Sequence, residues 1–178
     1  MPTSGTTGQI LAKMTDNNHD TQWVSASAGQ YTIGQSVLGG VVFFVYVDST
    51  GTQHGLVAAE ADEPGGPNYT GGLSTTSGTA QYQCANKTTN GFTDWILPNQ
   101  SQITILYNNR FAIDPTDPNG NGGFSNEEQF NGDTTASIYW SSTTTNSACS
   151  AWSQYFGNGT QNPQLANTLL SVRCIRTF

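Results

Sequence analysis

The pattern Asp117-x-Asn119-x-Asn121-Gly122-x5-Glu128 sets four oxygen-bearing side chains at the spacing of a calcium-binding loop. Calcium is a hard cation and takes oxygen ligands. In that reading Asp117, Asn119, Asn121 and Glu128 supply side-chain oxygens and Gly123 a backbone carbonyl, while Gly122 permits the sharp turn. No helix is predicted between Glu128 and the next strand, where a helix–loop–helix calcium site has one. An Asn/Gly-rich turn loop without an ion is therefore the competing reading.

The second chemistry is capture of an anionic ligand. Only five residues are basic: Lys13, Lys87, Arg110, Arg173 and Arg176. A sulfated polymer is held by several cations on one face. If residues 169–177 are one extended strand, Val172, Cys174 and Arg176 share one face and Arg173 and Ile175 the other. The two arginines then point apart, and Arg173 reads first as a structural ion-pair or backbone-bonding residue. Lys87, Arg110 and Arg176 are the better ligand-binding candidates, with Arg173 as the fourth.

Catalytic chemistry finds little. His19 and His54 stand beside no evident nucleophile or acid, and no nucleophile elbow, His-Glu-x-x-His or phosphate loop is present. A carboxylate pair assembled in space would draw on Glu60, Asp62, Asp94 and Asp133. The expectation is a protein that is not an enzyme. The four tryptophans suggest sugar stacking, but Trp95, Trp140 and Trp152 each lie in one of the sequence blocks set out below, and core packing is the stronger reading for them; Trp23 is expected at a contact with another subunit. Cys84, Cys149 and Cys174 match no zinc spacing. One disulfide with an odd thiol and three buried reduced cysteines both fit.

The elements that must position these residues are mostly strands. The run Val41-Val42-Phe43-Phe44-Val45-Tyr46-Val47 predicts a central strand, and His54-Gly55-Leu56-Val57-Ala58-Ala59 its return after the Asp48-Ser49-Thr50-Gly51 turn. Residues 62–78 read as surface loop and 78–87 as a short helix carrying Cys84. Asn99 or Ser101 caps a helix over about 102–109, on which Ile103, Leu106 and Tyr107 form an apolar stripe. A loop over 114–132 precedes three strands, over 137–142, 151–156 and 169–177. Ile10-Leu11 and Trp23-Val24 predict two short strands in a segment, residues 1–30, that reads as a stem or trimerisation contact. Residues 31–178 read as the globular ligand-binding domain.

Composition limits the function classes. The chain has 178 residues, of which 10% are charged, and a net charge of −7. Nucleic-acid binding needs a dense positive footprint, so that class is excluded. Coiled coils consume Glu, Lys and Arg and are excluded likewise. Hydrophobic residues at 35% and aromatics at 11% support a packed core, with Ser, Thr, Asn and Gly favouring strands and turns. The fold class expected is α+β: a single mixed domain with a twisted antiparallel sheet and one or two short helices. No run is long enough for a membrane span and no secretory signal opens the chain. The chain then reads as either cytoplasmic or a fragment of something longer, without membrane insertion.

Several blocks then agree in order. They are Ile33-Gly34 with Gly39-Gly40-Val41-Val42-Phe43-Phe44-Val45 and His54-Gly55-Leu56-Val57-Ala58-Ala59; Gly91-Phe92-Thr93-Asp94-Trp95-Ile96-Leu97-Pro98; Tyr139-Trp140-Ser141-Ser142-Thr143; Ala151-Trp152-Ser153-Gln154-Tyr155-Phe156; and Val172-Arg173-Cys174-Ile175-Arg176. Together they resemble the C-terminal domain of the Legionella collagen-like protein, a bacterial collagen-like adhesin, over residues 31–178. One departure is Gln102-Ile103, where the family often has an acidic residue followed by Leu. The resemblance implies an extracellular homotrimeric tip on the bacterial surface, binding sulfated glycosaminoglycans or related host polysaccharides. It also implies a C-type-lectin-like topology joining the first helix to the last strand, hence a Cys84–Cys174 disulfide with Cys149 free. The alternatives are a phage-like fibre tip recognising neutral glycan or protein, and a purely structural trimerisation cap.

Overall fold

The computed structural model describes residues 9–13, 21–25, 30–64, 69–70, 77–117, 122–124, 137–146 and 149–178. The strands and helices run β1 (Gln9–Lys13), β2 (Thr21–Ser25), β3 (Ser36–Val37), β4 (Gly40–Val47), β5 (Gln53–Ala58), β6 (Tyr69–Thr70), α1 (Ala80–Ala85) and α2 (Gln100–Asn108). A 3-10 turn (Arg110–Ala112) follows, then β7 (Ile138–Thr144), β8 (Ser150–Tyr155), β9 (Gln161–Leu165), β10 (Leu169–Leu170) and β11 (Ile175–Thr177). The chain divides into two compact units, Met1–Tyr31 and Thr32–Phe178. In the first, β1 and β2 pair antiparallel with Leu11 opposite Trp23.

The second unit is α+β. One antiparallel sheet has the order β11-β5-β4-β3, and another β7-β8-β9. The apolar run of β4 drives the first of these. The β4–β5 register shifts between Val42 and Phe44, a bulge that lets the consecutive Phe43 and Phe44 both pack on the core that also holds Val41. Beyond it the strand emerges, leaving Tyr46 and Val47 exposed. At the β4–β5 turn Asp48 accepts hydrogen bonds from the Thr50 hydroxyl, His54 and the Thr52 N–H, which hold its carboxyl well below the ordinary range.

α2 starts two residues before the expected position. Asn99 accepts from the Gln102 N–H while the Gln102 side chain accepts from the Asn99 N–H, a reciprocal cap that satisfies two donors the first turn would otherwise leave open. Ile103 and Leu106 then enter the core formed with β4, β5 and Phe156. Tyr107 is only partly buried, its ring edge-on to Phe156 at 5.5 Å between centroids. A second core surrounds Cys84 and Cys174 and includes Trp95 and Trp140. No helix of the described residues is long and apolar enough to cross a membrane.

Three expectations are corrected. The last strand is not continuous: β10 pairs with β6, β11 with β5, and residues 171–174 belong to neither sheet. All of residues 171–176 are buried, so the alternation that put Arg173 and Arg176 on opposite faces fails. Its physical reason is that Arg173 and Cys174 leave the ladder to reach Asp62 and Cys84. A further strand, β9, lies at the edge of its sheet, where one side of the ladder is unpaired and Pro163 is tolerated. Finally, Trp95 and Trp140 are core residues at 2% and 0% exposure, but Trp152 is half-buried and belongs to neither core. The side chain of Trp23 lies outside the described residues.

Candidate functional site

Most of the cations are committed internally. Arg173 is 1% exposed; its Nε donates to Asp62 at 2.6 Å, and its Nη groups donate to the carbonyls of Ala59, Glu60 and Gly123. Lys87, 14% exposed, donates to Glu63 at 2.7 Å and lies 5.8 Å from the centroid of Trp95. Arg176 donates through Nε and Nη2 to the two oxygens of Asp94, each at 2.8 Å, and through Nη1 to the Leu38 carbonyl. Its guanidinium covers the Phe92 ring at 3.8 Å. The Leu38 carbonyl it holds belongs to a residue at φ +56°, in the left-handed region that non-glycine residues seldom enter.

The Arg176 pair carries a pH prediction. The guanidinium beside Asp94 holds its carboxyl below the ordinary value of 3.8. A lowered carboxyl contributes its full stabilisation above its ordinary value and loses it as the pH falls through the lowered one. Asp94 is 53% exposed, so solvent screening keeps the pair to about 1 kcal/mol or less. Asp94→Asn is expected to be less stable than the native chain at neutral pH, with the gap closing below pH 3.8. Urea midpoints measured across that range decide it; a gap independent of pH would sink the assignment.

Arg110 differs from the other three. Among the four Lys and Arg side chains described, it alone forms no ion pair. It sits just past the C-terminus of α2, where the helix dipole favours a cation. Its guanidinium lies 4.2 Å from the centroids of both Tyr107 and Phe111, and Nη1 donates to the Tyr107 carbonyl at 2.9 Å. Its Nε is buried without a hydrogen-bond partner. Phe111 is 49% exposed, so the sandwich opens to solvent. Two glycines permit this packing. Gly122, at φ +67°, lies against the Arg110 carbonyl where a Cβ would collide, and Gly159 leaves space for the Tyr107 ring. The side chain of Lys13, on β1, lies outside the described residues.

Of the calcium pattern, Asn119, Asn121 and Glu128 lie outside the described residues. The described part engages protein groups: Asp117 accepts from the Gly123 N–H at 3.0 Å, and the Gly123 carbonyl accepts from Arg173 at 2.6 Å. A guanidinium therefore occupies one side of the carbonyl that the loop pattern would offer to a cation. Among the described residues no group of three or more His, Cys, Asp or Glu could hold a metal ion.

The carboxylates weighed for catalysis are dispersed among separate partners. Glu60 accepts from Ser36, Asp62 from Arg173 and Tyr139, and Asp94 from Arg176. Asp133 and His19 lie outside the described residues. Cys84 and Cys174 are bonded to each other with their Cα atoms 5.4 Å apart, and Cys149 is free and exposed. The Tyr107–Arg110–Phe111 sandwich carried one advance signal, since aromatics three before and one after an arginine fall within a helix end. The ion pairs had none, because Asp62 and Arg173 are 111 residues apart.

A family model described as the Lcl C-terminal domain matches residues 12–176. No curated protein matches the chain.

Proposed function

The chain belongs to the Lcl C-terminal domain family, a membership that fits a collagen-like surface adhesin, and from it we propose that this domain is an extracellular tip that captures sulfated glycosaminoglycans through Arg110. The observation that carries this reading is the Arg110 sandwich: a guanidinium with no carboxylate partner, held between two rings, one of them exposed. A guanidinium carries donors that suit sulfate geometry, and the flanking rings fix its plane; with Nε buried and Nη1 donating to the Tyr107 carbonyl, the Nη2 side is the one that meets the ligand. Lys87, Arg173 and Arg176 serve the binding indirectly, because each offsets an acid inside the fold.

One such contact is weak, and the chain is acidic overall at −7. Trimerisation through residues 1–30 answers the first point, since three Arg110 sites on one polymer raise the effective concentration of the second and third contacts; against the net charge, attraction has to act locally at Arg110. Attraction between an exposed cation and a sulfated polymer is screened by salt over about 10 Å at 0.1 M.

Arg110→Ala is therefore expected to weaken binding to immobilised heparin by about tenfold per site, the loss of one charge-assisted hydrogen-bonding group. In a trimer the loss is larger. Arg110→Lys keeps the charge but not the fork and is expected to fall between. Heparin affinity measured at rising salt separates the outcomes: binding that ignores salt, or an Arg110→Ala protein that elutes with the native chain, rejects this reading.

A further inference from the structure

On the other sheet, Trp152 stands in the middle of β8 directly opposite Pro163 of β9. Residues facing each other across an antiparallel pair project from the same face, so the indole and the pyrrolidine ring form one apolar platform. A cavity of about 450 Å³ opens over it, lined by Thr144, Thr145, Asn146, Ser150, Trp152 and Pro163. That volume falls within the range of small-molecule sites. Three hydroxyls and a carboxamide surround two flat apolar groups, and none of the described lining residues carries a charge.

The polar side is organised rather than incidental. The Thr145 and Ser150 hydroxyls are hydrogen-bonded to each other, and the Thr145 N–H donates to the Ser150 carbonyl at 3.1 Å. This closes β7 against β8 at one wall of the cavity. Both other tryptophans of this unit are buried completely, whereas Trp152 is only partly buried and lines the cavity. An edge strand with Pro163 explains why β9 resists pairing with another chain. It does not explain a tryptophan that is only partly buried beside it.

We propose that this cavity binds a neutral pyranose sugar, its C–H face stacked on Trp152 and its hydroxyls hydrogen-bonded by the Thr, Ser and Asn side chains. An aromatic plane with neutral hydrogen-bonding groups at its edge matches a ring with one apolar face and an equatorial belt of hydroxyls. The absence of charge among the described lining residues separates this ligand from a sulfated one. The site is also separate from Arg110. The Gln100 N–H, at the start of α2, donates to Thr143, next to the cavity, whereas Arg110 follows the other end of a nine-residue helix. Such a helix is about 13 Å long.

The test is an NMR titration of the full chain with methyl glycosides of galactose, glucose, mannose, N-acetylglucosamine and fucose. The Trp152 indole N–H signal is assigned by its loss in Trp152→Ala. At least one glycoside is expected to shift it saturably, with an affinity unchanged by salt and unchanged in Arg110→Ala. Asn146→Ala, at an exposed position that does not threaten folding, is expected to weaken that affinity several-fold, the loss of one neutral hydrogen bond. Trp152→Ala, provided its melting temperature shows it folded, is expected to abolish binding. No saturable shift with any of the five glycosides would overturn the proposal. Binding that survives both substitutions, or that requires Arg110, would overturn it equally.

Discussion

Replacing Cys84 and Cys174 together with alanine is expected to lower stability by about 4 to 5 kcal/mol, the chain-entropy value for closing a loop of this size. The two cysteines are 90 residues apart, so the bridge restricts half of the unfolded chain. In the folded state it joins α1 to the segment before β11, with both sulfurs fully buried in the core that contains Trp95 and Trp140. That loss is a large share of the roughly 5 to 15 kcal/mol that a domain of this kind possesses. It corresponds to a fall in melting temperature of about 8 to 20 °C for a chain of this length. Cys149→Ser is the control, because that thiol is exposed and unbonded, and it is expected to change nothing. Thermal unfolding of the two variants beside the native chain decides the matter. A double alanine variant within about 1 kcal/mol of the native chain would show that the bridge restricts a denatured state already compact there. Disulfides persist in oxidising compartments, so a loss of that size would support the proposed extracellular location.

The parts of the fold legible in the sequence are those where local chemistry and burial agree. The β4–β5 hairpin was visible because its apolar run and its Asp-Ser-Thr-Gly turn point to one structure. α2 was visible because its stripe and Asn99 cap do the same. β9 was hidden: Gln-Asn-Pro-Gln-Leu on an edge buries no continuous face and contains a proline. The break between β10 and β11 was hidden for the opposite reason. Its residues look like a strand, but Arg173 and Cys174 answer to Asp62 and Cys84, partners more than 80 residues away. The candidate site followed the same rule. Arg110 and its aromatic neighbours are local, while what distinguishes it is that three distant acids neutralise the other three cations whose side chains are described. Trp152 reads as core because it lies in a block shared with the family, and its partly exposed position on β8, beside the edge strand β9, corrects that.

Arg173 is where those distant partners meet, and Arg173→Met is expected to destabilise the fold by about 3 to 5 kcal/mol, the cost of breaking a buried pair on one side. The guanidinium donates to Asp62 and to three backbone carbonyls from two separate segments, and lies 4.2 Å from the Phe124 ring centroid. Methionine fills part of the volume but leaves Asp62, only 14% exposed, without its cation. The hydroxyl of Tyr139 still donates to Asp62, which softens the loss without removing the charge. Asp62→Asn combined with Arg173→Met is expected to recover part of the stability, because the orphaned charge is then gone. Urea denaturation of both single variants and the double one gives the coupling directly; purely additive losses would mean that the pair contributes nothing as a pair. The consequence extends to binding. Arg173 holds the Gly123 carbonyl, and Gly122, next to it, packs on the carbonyl of Arg110. Releasing that loop is expected to loosen the Tyr107–Arg110–Phe111 sandwich, so Arg173→Met should weaken heparin binding even though Arg173 itself never reaches solvent. If Arg173→Met is folded and binds heparin as the native chain does, Arg110 is held by α2 and its flanking rings alone.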